Sequence, residues 1–385
     1  MRFVLRLAAS LALIGLAAGQ CVVPTLPSTY VLLGVAAAYD SNGLPDAGPL
    51  KLFKFTPSDT TPWGSAWSLG PSPVGNCPTQ RDNPTNQCAR SDIAPAIASS
   101  NAIYVAAWWG PKNDPNLTSD ANCAGGSQLL GASFDPTAGT WTPASRMTCL
   151  AGDHLGPASR PALVWAGETN VWYLAFADAK DGSVTVLAFP GPGSSETQVA
   201  VPCCVAGAVA IGESAVKDPA TGQFVPVLYL AWNDGSLHTL KSMNGATFTN
   251  LGFAREAGDQ EAGNTLPGIT ANLLILPPFM GATIDGPLLA VSRASYAGNG
   301  NEIALFTTSD GVTWTWRVAL AGVPGATITP AVTGAPATPV ISYPNGPTAE
   351  FLGGEPTTAV AGPGGTVVLP MSQSVGVGMA FGPGF

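Results

Sequence analysis

Charge is scarce in this chain, with 15 Lys and Arg and 24 Asp and Glu among 385 residues, so each gathering of ionisable groups invites a chemical reading. Two kinds of place hold them. One kind precedes short apolar runs and supplies Arg90 and Asp92, then Asp153, His154 and Arg160, then Cys203 and Cys204, then Arg255, Asp259 and Glu261. The other closes apolar runs and supplies Tyr39 and Asp40, Trp108 and Trp109, Asp178, Trp232 and Asp234, Arg293 and Tyr296, and Tyr343. Aromatic rings mixed with carboxylates and guanidinium groups suit sugars, whose C–H faces stack on rings while their hydroxyls take charge-assisted hydrogen bonds. Trp108, Trp109 and Trp232 are the candidate stacking rings, and packing between sheets is the plainer role for each. Two carboxylates from this set, held roughly 5 to 9 Å apart with one pKa raised, would instead cleave a glycosidic bond.

Other chemistries find less support. The two histidines, His154 and His238, are too few and too far apart for a histidine-rich metal site. No nucleophile elbow, phosphate loop or dinucleotide fingerprint stands between a strand and a helix. A formal net charge of −9 repels phosphate backbones, so nucleic acid is not an expected partner. The loop from Asn113 to Asn122, with Asp114 and Asp120, offers oxygen ligands of the kind Ca²⁺ takes, although a solvated turn is the plainer reading. No cofactor is expected.

The elements that must carry these residues repeat. Six apolar runs end near a polar or aromatic residue: Val31 to Ala38, Ile103 to Trp108, Val171 to Phe176, Val227 to Trp232, Leu288 to Arg293 and Pro339 to Tyr343. A second series, centred on Pro or Gly, precedes most of them: Ala94-Pro95-Ala96, Arg160-Pro161-Ala162, Ala206-Gly207-Ala208, Leu266-Pro267-Gly268, Thr329-Pro330-Ala331 and Leu369-Pro370-Met371. Both registers give six units, and continuous apolar runs fit sheets buried on both faces. The expected fold is all-β, a six-bladed β-propeller of four-stranded antiparallel blades, with a solenoid or a two-sheet sandwich as the alternative. The last Pro-centred member has no following run and the first run has no preceding member. A C-terminal strand near Val367 to Ser374 is therefore expected to close the ring by pairing with Tyr30 to Ala38. In such a blade the inner strand begins, and the second strand ends, on the same face. The two series of charged and aromatic residues would converge there.

A third signal falls later in the unit. Thr308-Ser309-Asp310-Gly311-Val312-Thr313-Trp314 and Ser242-Met243-Asn244-Gly245-Ala246-Thr247-Phe248 match as Ser/Thr-x-Asp/Asn-Gly-x-Thr-aromatic, and Ser133-Phe134-Asp135 with Gly139-Thr140-Trp141 is a longer variant. This resembles the Asp-box of sialidase-like propellers, a turn in which Asp caps, Gly takes positive φ and the aromatic packs beneath. The resemblance implies that Asp310, Asn244 and Trp314 are structural and lie opposite the active face. It also implies a carboxylate clamp of arginines, imitated here by Arg90, Arg160 and Arg293, with Asp92 or Asp40 as acid and Tyr343 or Tyr39 as nucleophile. The first-blade arginine motif of that family is absent, and no Glu is placed by sequence to activate a Tyr. The expected function is accordingly glycan recognition at the channel mouth without sialidase activity, His154 and Asp234 contributing to the same face. Glycosidase or lyase chemistry and a protein-docking propeller are the alternatives.

Arg2 and Arg6 ahead of the apolar run Leu7 to Ala18, with small residues before Gln20, read as an export signal over residues 1–19, leaving 20–385 as a single domain. The run is too short for the roughly 20 residues of a membrane span. Seven cysteines in an exported chain suggest disulfides and leave one thiol over. Cys77 with Cys88 and Cys123 with Cys149 are the simplest pairs, each stabilising by roughly 3 kcal/mol in the loop-entropy model. Cys203 and Cys204 either form a vicinal disulfide or one of them holds Cys21. A monomer secreted to meet an extracellular glycan or glycoprotein is the expected context.

Overall fold

The computed structural model describes residues 29–35, 47–48, 50–55, 67–71, 73, 88–90, 93–100, 102–110, 127–150, 160–167, 169–178, 182–201, 208–217, 220–233, 236–243, 245–257, 273–276, 288–294, 301–321, 329–333, 338–345, 348–353, 362–368 and 377–382. Every regular element among them is a strand. No described helix is long and apolar enough to cross a membrane.

Six sheets share one antiparallel four-strand plan; the second carries a short extra strand, Thr140–Trp141, the fifth carries Arg255–Ala257 in parallel on its last strand, and a separate two-strand ribbon pairs Ala47–Gly48 with Ala89–Arg90. The second sheet runs Ala96–Ser99, Tyr104–Trp109, Ser127–Asp135, Ser145–Leu150, and the third runs Ala162–Ala166, Val171–Ala177, Val184–Phe189, Thr197–Val199. The fourth follows with Ala208–Lys217, Phe224–Asn233, Leu237–Ser242 and Thr249–Phe253. The fifth comprises Leu273–Leu276, Leu288–Ala294, Asn301–Thr307 and Thr313–Ala321, and the sixth Thr329–Thr333, Thr338–Asn345, Thr348–Gly353 and Gly362–Val368. The first sheet takes Thr29–Val35, Leu50–Phe55 and Trp67–Gly70 from the N-terminal part, and its remaining strand is Val377–Gly382, with Thr29 opposite Gly382.

All six apolar runs read from the sequence overlap the second strand of a sheet, the first of them over Val31 to Val35, its remainder lying outside the described residues. The expected closing strand is corrected: residues 367 and 368 end the last strand of the sixth sheet, and the strand that meets Thr29–Val35 begins at Val377. Pro370 is the reason the sequence misleads, because a Pro-centred segment that marks the start of other units here stands just beyond a fourth strand.

The first strands lie side by side in a continuous order. Val377–Gly382 neighbours Ala96–Ser99, which neighbours Ala162–Ala166; Ala208–Lys217, Leu273–Leu276 and Thr329–Thr333 follow, and the last of these again neighbours Val377–Gly382. The second sheet is buried on both faces. Tyr104 to Trp109 are all buried, with Tyr104, Ala106 and Trp108 packed toward Leu50, Leu52 and Ala380 of the first sheet. Val105, Ala107 and Trp109 pack on the other side, toward Trp172, Leu174 and Phe176 of the third sheet. Burial on both faces removes the period-two alternation and leaves apolar runs.

The turns between third and fourth strands tie neighbouring sheets together. In the fifth sheet Asp310 Oδ1 accepts the amides of Val312 and Thr313 at 2.8 and 2.7 Å, Gly311 sits at φ +82°, and Trp314 is fully buried. That turn docks on the fourth sheet, Thr239 Oγ1 donating to the Gly311 carbonyl at 2.5 Å, and it also meets the segment just past that sheet, the Arg255 amide donating to the Val312 carbonyl at 2.8 Å. Trp141 of the second sheet donates likewise to the Pro71 carbonyl, just past the end of the first sheet. Thr247 of the fourth forms a parallel bridge with Ala200, just past the end of the third. In three places, then, the residue leaving one sheet is grasped by a turn of the next.

Candidate functional site

Each sheet has two ends. At one, here called the leading end, the first strand begins and the second strand ends. The registers place the sequence-derived residues of the second strands there: Ala96 lies opposite Ala107, so Trp108 and Trp109 extend beyond it; Leu273 lies opposite Val291, so Arg293 does the same; and Thr329 lies opposite Ser342, one residue short of Tyr343. Arg160 stands immediately before the third sheet's first strand, and Arg90 pairs with Ala47 in a short ribbon joining the connections of the first two sheets. Asp178 closes the third sheet's second hairpin, its amide donating to the Ser183 carbonyl at 3.0 Å. Asp40, Asp92, His154, Asp234, Cys203 and Cys204 lie outside the described residues, as does the Asn113 to Asn122 loop.

Location does not make every ring a platform. Trp108 is 0% and Trp109 1% exposed. Trp109 meets Phe176 edge-on at 5.3 Å across the seam between the second and third sheets. Both rings pack, the plainer of the two roles open to them, and neither offers a face to a sugar. Cys88 is also buried and is disulfide-bonded. Burial lowers the Arg160 guanidinium to about 10, which leaves it charged at neutral pH.

Trp232 is different in its company. It is 5% exposed, and the His238 imidazole lies flat on it with centroids 3.9 Å apart and planes 4° from parallel. His238 in turn meets Phe253 at 4.2 Å. The sequence contained a clue to this row: the Asn233↔Leu237 pairing flanks a short turn, so the residues one step outward, Trp232 and His238, must face each other. Phe253, on the fourth strand, carried no such signal. Two further partners escaped the sequence reading, because they sit on third strands: Glu350 is in register with Tyr343, and Glu302 with Arg293.

The opposite, hairpin end holds a small recess between the third and fourth sheets, lined by Thr169, Tyr173, Glu213, Ser242 and Met243 among others. Glu213 Oε2 accepts the Gly167 amide there at 3.1 Å. None of the sequence-derived site residues lines it.

No family model and no curated protein matches the sequence. Among solved structures, similar ones include the NanB sialidase of Streptococcus pneumoniae, 10% identical over 82% of this chain and 63% of that one, with a TM-score of 0.49. A periplasmic gluconolactonase of Pseudomonas aeruginosa is 14% identical over 92% and 99% of the two chains, at a TM-score of 0.44. The Aleuria aurantia lectin is 11% identical over 75% and 78%, at 0.41. The chain spans less than two thirds of that sialidase. No site, substrate or activity is carried across at such identities.

Proposed function

We propose that the chain is an exported, monomeric six-bladed propeller, its ring closed by Val377–Gly382, that holds an extracellular glycan at the leading ends of its sheets without sialidase chemistry. The observation that carries the reading is the division of labour between the two ends. The turns opposite the leading end are spent on holding sheets together, as the Trp141–Pro71 and Thr239–Gly311 bonds illustrate. The leading ends keep Arg90, Arg160 and Arg293, and Arg is the side chain best suited to bidentate recognition of oxygen anions and hydroxyls. The continuous neighbour order of the first strands supports the ring, and residues 1–19 support export. The experiment is to present purified protein to a panel of polysaccharides and measure binding and released sugars together. Retention without product is the expected result; no retention on any glycan would overturn the reading.

A glycosidase is the second reading, and the backbone register that sets Tyr343 opposite Glu350 favours it, since an aryl-oxide nucleophile needs a carboxylate to activate it. Product release that disappears in both Tyr343→Phe and Glu350→Gln would establish it. Asp92→Ala provides the corresponding test of an acid.

A further inference from the structure

One register row crosses the whole fourth sheet at its leading end: Val209 opposite Trp232, Trp232 opposite His238, His238 opposite Phe253. The row begins in the core and ends in solvent, for Phe253 is 45% exposed while His238 is 8% and Trp232 5% exposed. It faces the third sheet, sharing a core with Ala162 and Ala177. Arg160 stands two residues before Ala162, and Asp178 directly follows Ala177. Arg160 and Asp178 thus stand at the leading end of the third sheet, the sheet that the aromatic row faces.

The second observation is an orphan. The indole Nε1–H of Trp232 is buried and has no hydrogen-bond partner among the described residues. Buried donors are almost always satisfied, and one that the chain leaves open calls for an acceptor from outside it. Trp109 has a similar orphan, but its ring meets Phe176, which is itself buried, so no exposed platform adjoins it.

We infer that this row is the ring-binding subsite of the proposed glycan site. Phe253 is the platform for the C–H face of a pyranose, His238 holds that platform against Trp232, and Trp232 Nε1 donates to a sugar oxygen entering the seam. An apolar face and an oxygen acceptor on one small ligand are what a saccharide ring combines. The inference rests on the glycan reading above.

The test uses the full-length protein, titrated with soluble xylan, β-glucan, polygalacturonate and 3′-sialyllactose while intrinsic fluorescence and binding are followed. Phe253→Ala should weaken binding at least tenfold with an unchanged thermal midpoint, since its ring lies half outside the core. Trp232→Phe keeps a ring on His238 but removes the N–H; binding should fall several-fold and the ligand-induced emission change should vanish. Glycan binding that survives both substitutions overturns the subsite and leaves the glycan reading intact. Absence of wild-type binding to every probe overturns both.

Discussion

Trp141 and Pro71 stand 70 residues apart, yet the indole of the first donates a 2.9 Å hydrogen bond to the carbonyl of the second. The Trp141 ring also leans on Phe134 with centroids 5.2 Å apart, so Trp141→Phe keeps the packing and removes only the bond. The expected cost is about 1 kcal/mol of unfolding free energy, the net worth of an ordinary hydrogen bond. Urea denaturation reads it directly, and an unchanged midpoint would mean that the bond ties nothing.

The Gly311 turn leaves less room. At φ +82° an added Cβ would sit 2.6 Å from Leu251 Cδ1 and 2.9 Å from Tyr229 Cε1, both in the neighbouring fourth sheet. Gly311→Ala therefore combines backbone strain with a clash across the seam, and should destabilise by roughly 2 kcal/mol. Gly139→Ala is the control: its φ is +67° but the space around it is open, so only the backbone share should appear.

Asp310 gives the turn a pH signature. Burial alone would raise its pKa, but hydrogen bonds from the Thr313 and Val312 amides and from the Thr308 and Thr313 side chains outweigh it and hold the carboxyl below its ordinary 3.8. A depressed folded pKa contributes stability above the unfolded value and loses it as pH falls. The stability gap between wild type and Asp310→Asn should hold from neutrality down to about pH 4 and close below it. A gap that stays constant down to pH 2 would show that the charge is irrelevant.

Tyr229 supplies the alkaline counterpart. Burial first, and the Asp310 charge second, push its phenol up to about 12. A raised phenol pKa favours the folded state below the unfolded value of about 10 and withdraws that support as pH rises through the folded one. Tyr229→Phe should flatten the loss of stability above pH 10 in a denaturation series.

How far the sequence reveals this molecule depends on what each residue is asked to do. Burial of a sheet on both faces imposes continuous apolar runs, so Tyr104–Trp109 and Phe224–Asn233 stand out without a structure. The Asp310 turn is equally visible, because only Gly tolerates the backbone that Gly311 adopts. Trp108 is a harder case: a ring that packs and a ring that stacks on sugar are the same residue type at the same point of the repeat. Position relative to the neighbouring sheet separates them, and that is a tertiary fact. Phe253 and Glu350 are hidden for the same reason, since cross-strand partners emerge only once the registers are fixed. The misplaced closing strand has another cause, the Pro-centred segment at Pro370, which imitates the start of a unit but stands just past the last strand of the sixth sheet.

The pairing of Thr29–Val35 with Val377–Gly382 also sets a timetable. Thr29–Val35 is synthesised before every other described strand, and its partner after every other. During translation the second to sixth sheets can form in turn while the first remains one strand short, and joining such distant segments carries the largest loop-closure cost in the molecule. A stop just upstream of Val377, however little of the chain it removes, leaves Thr29–Val35 with an unpaired edge open to another nascent chain.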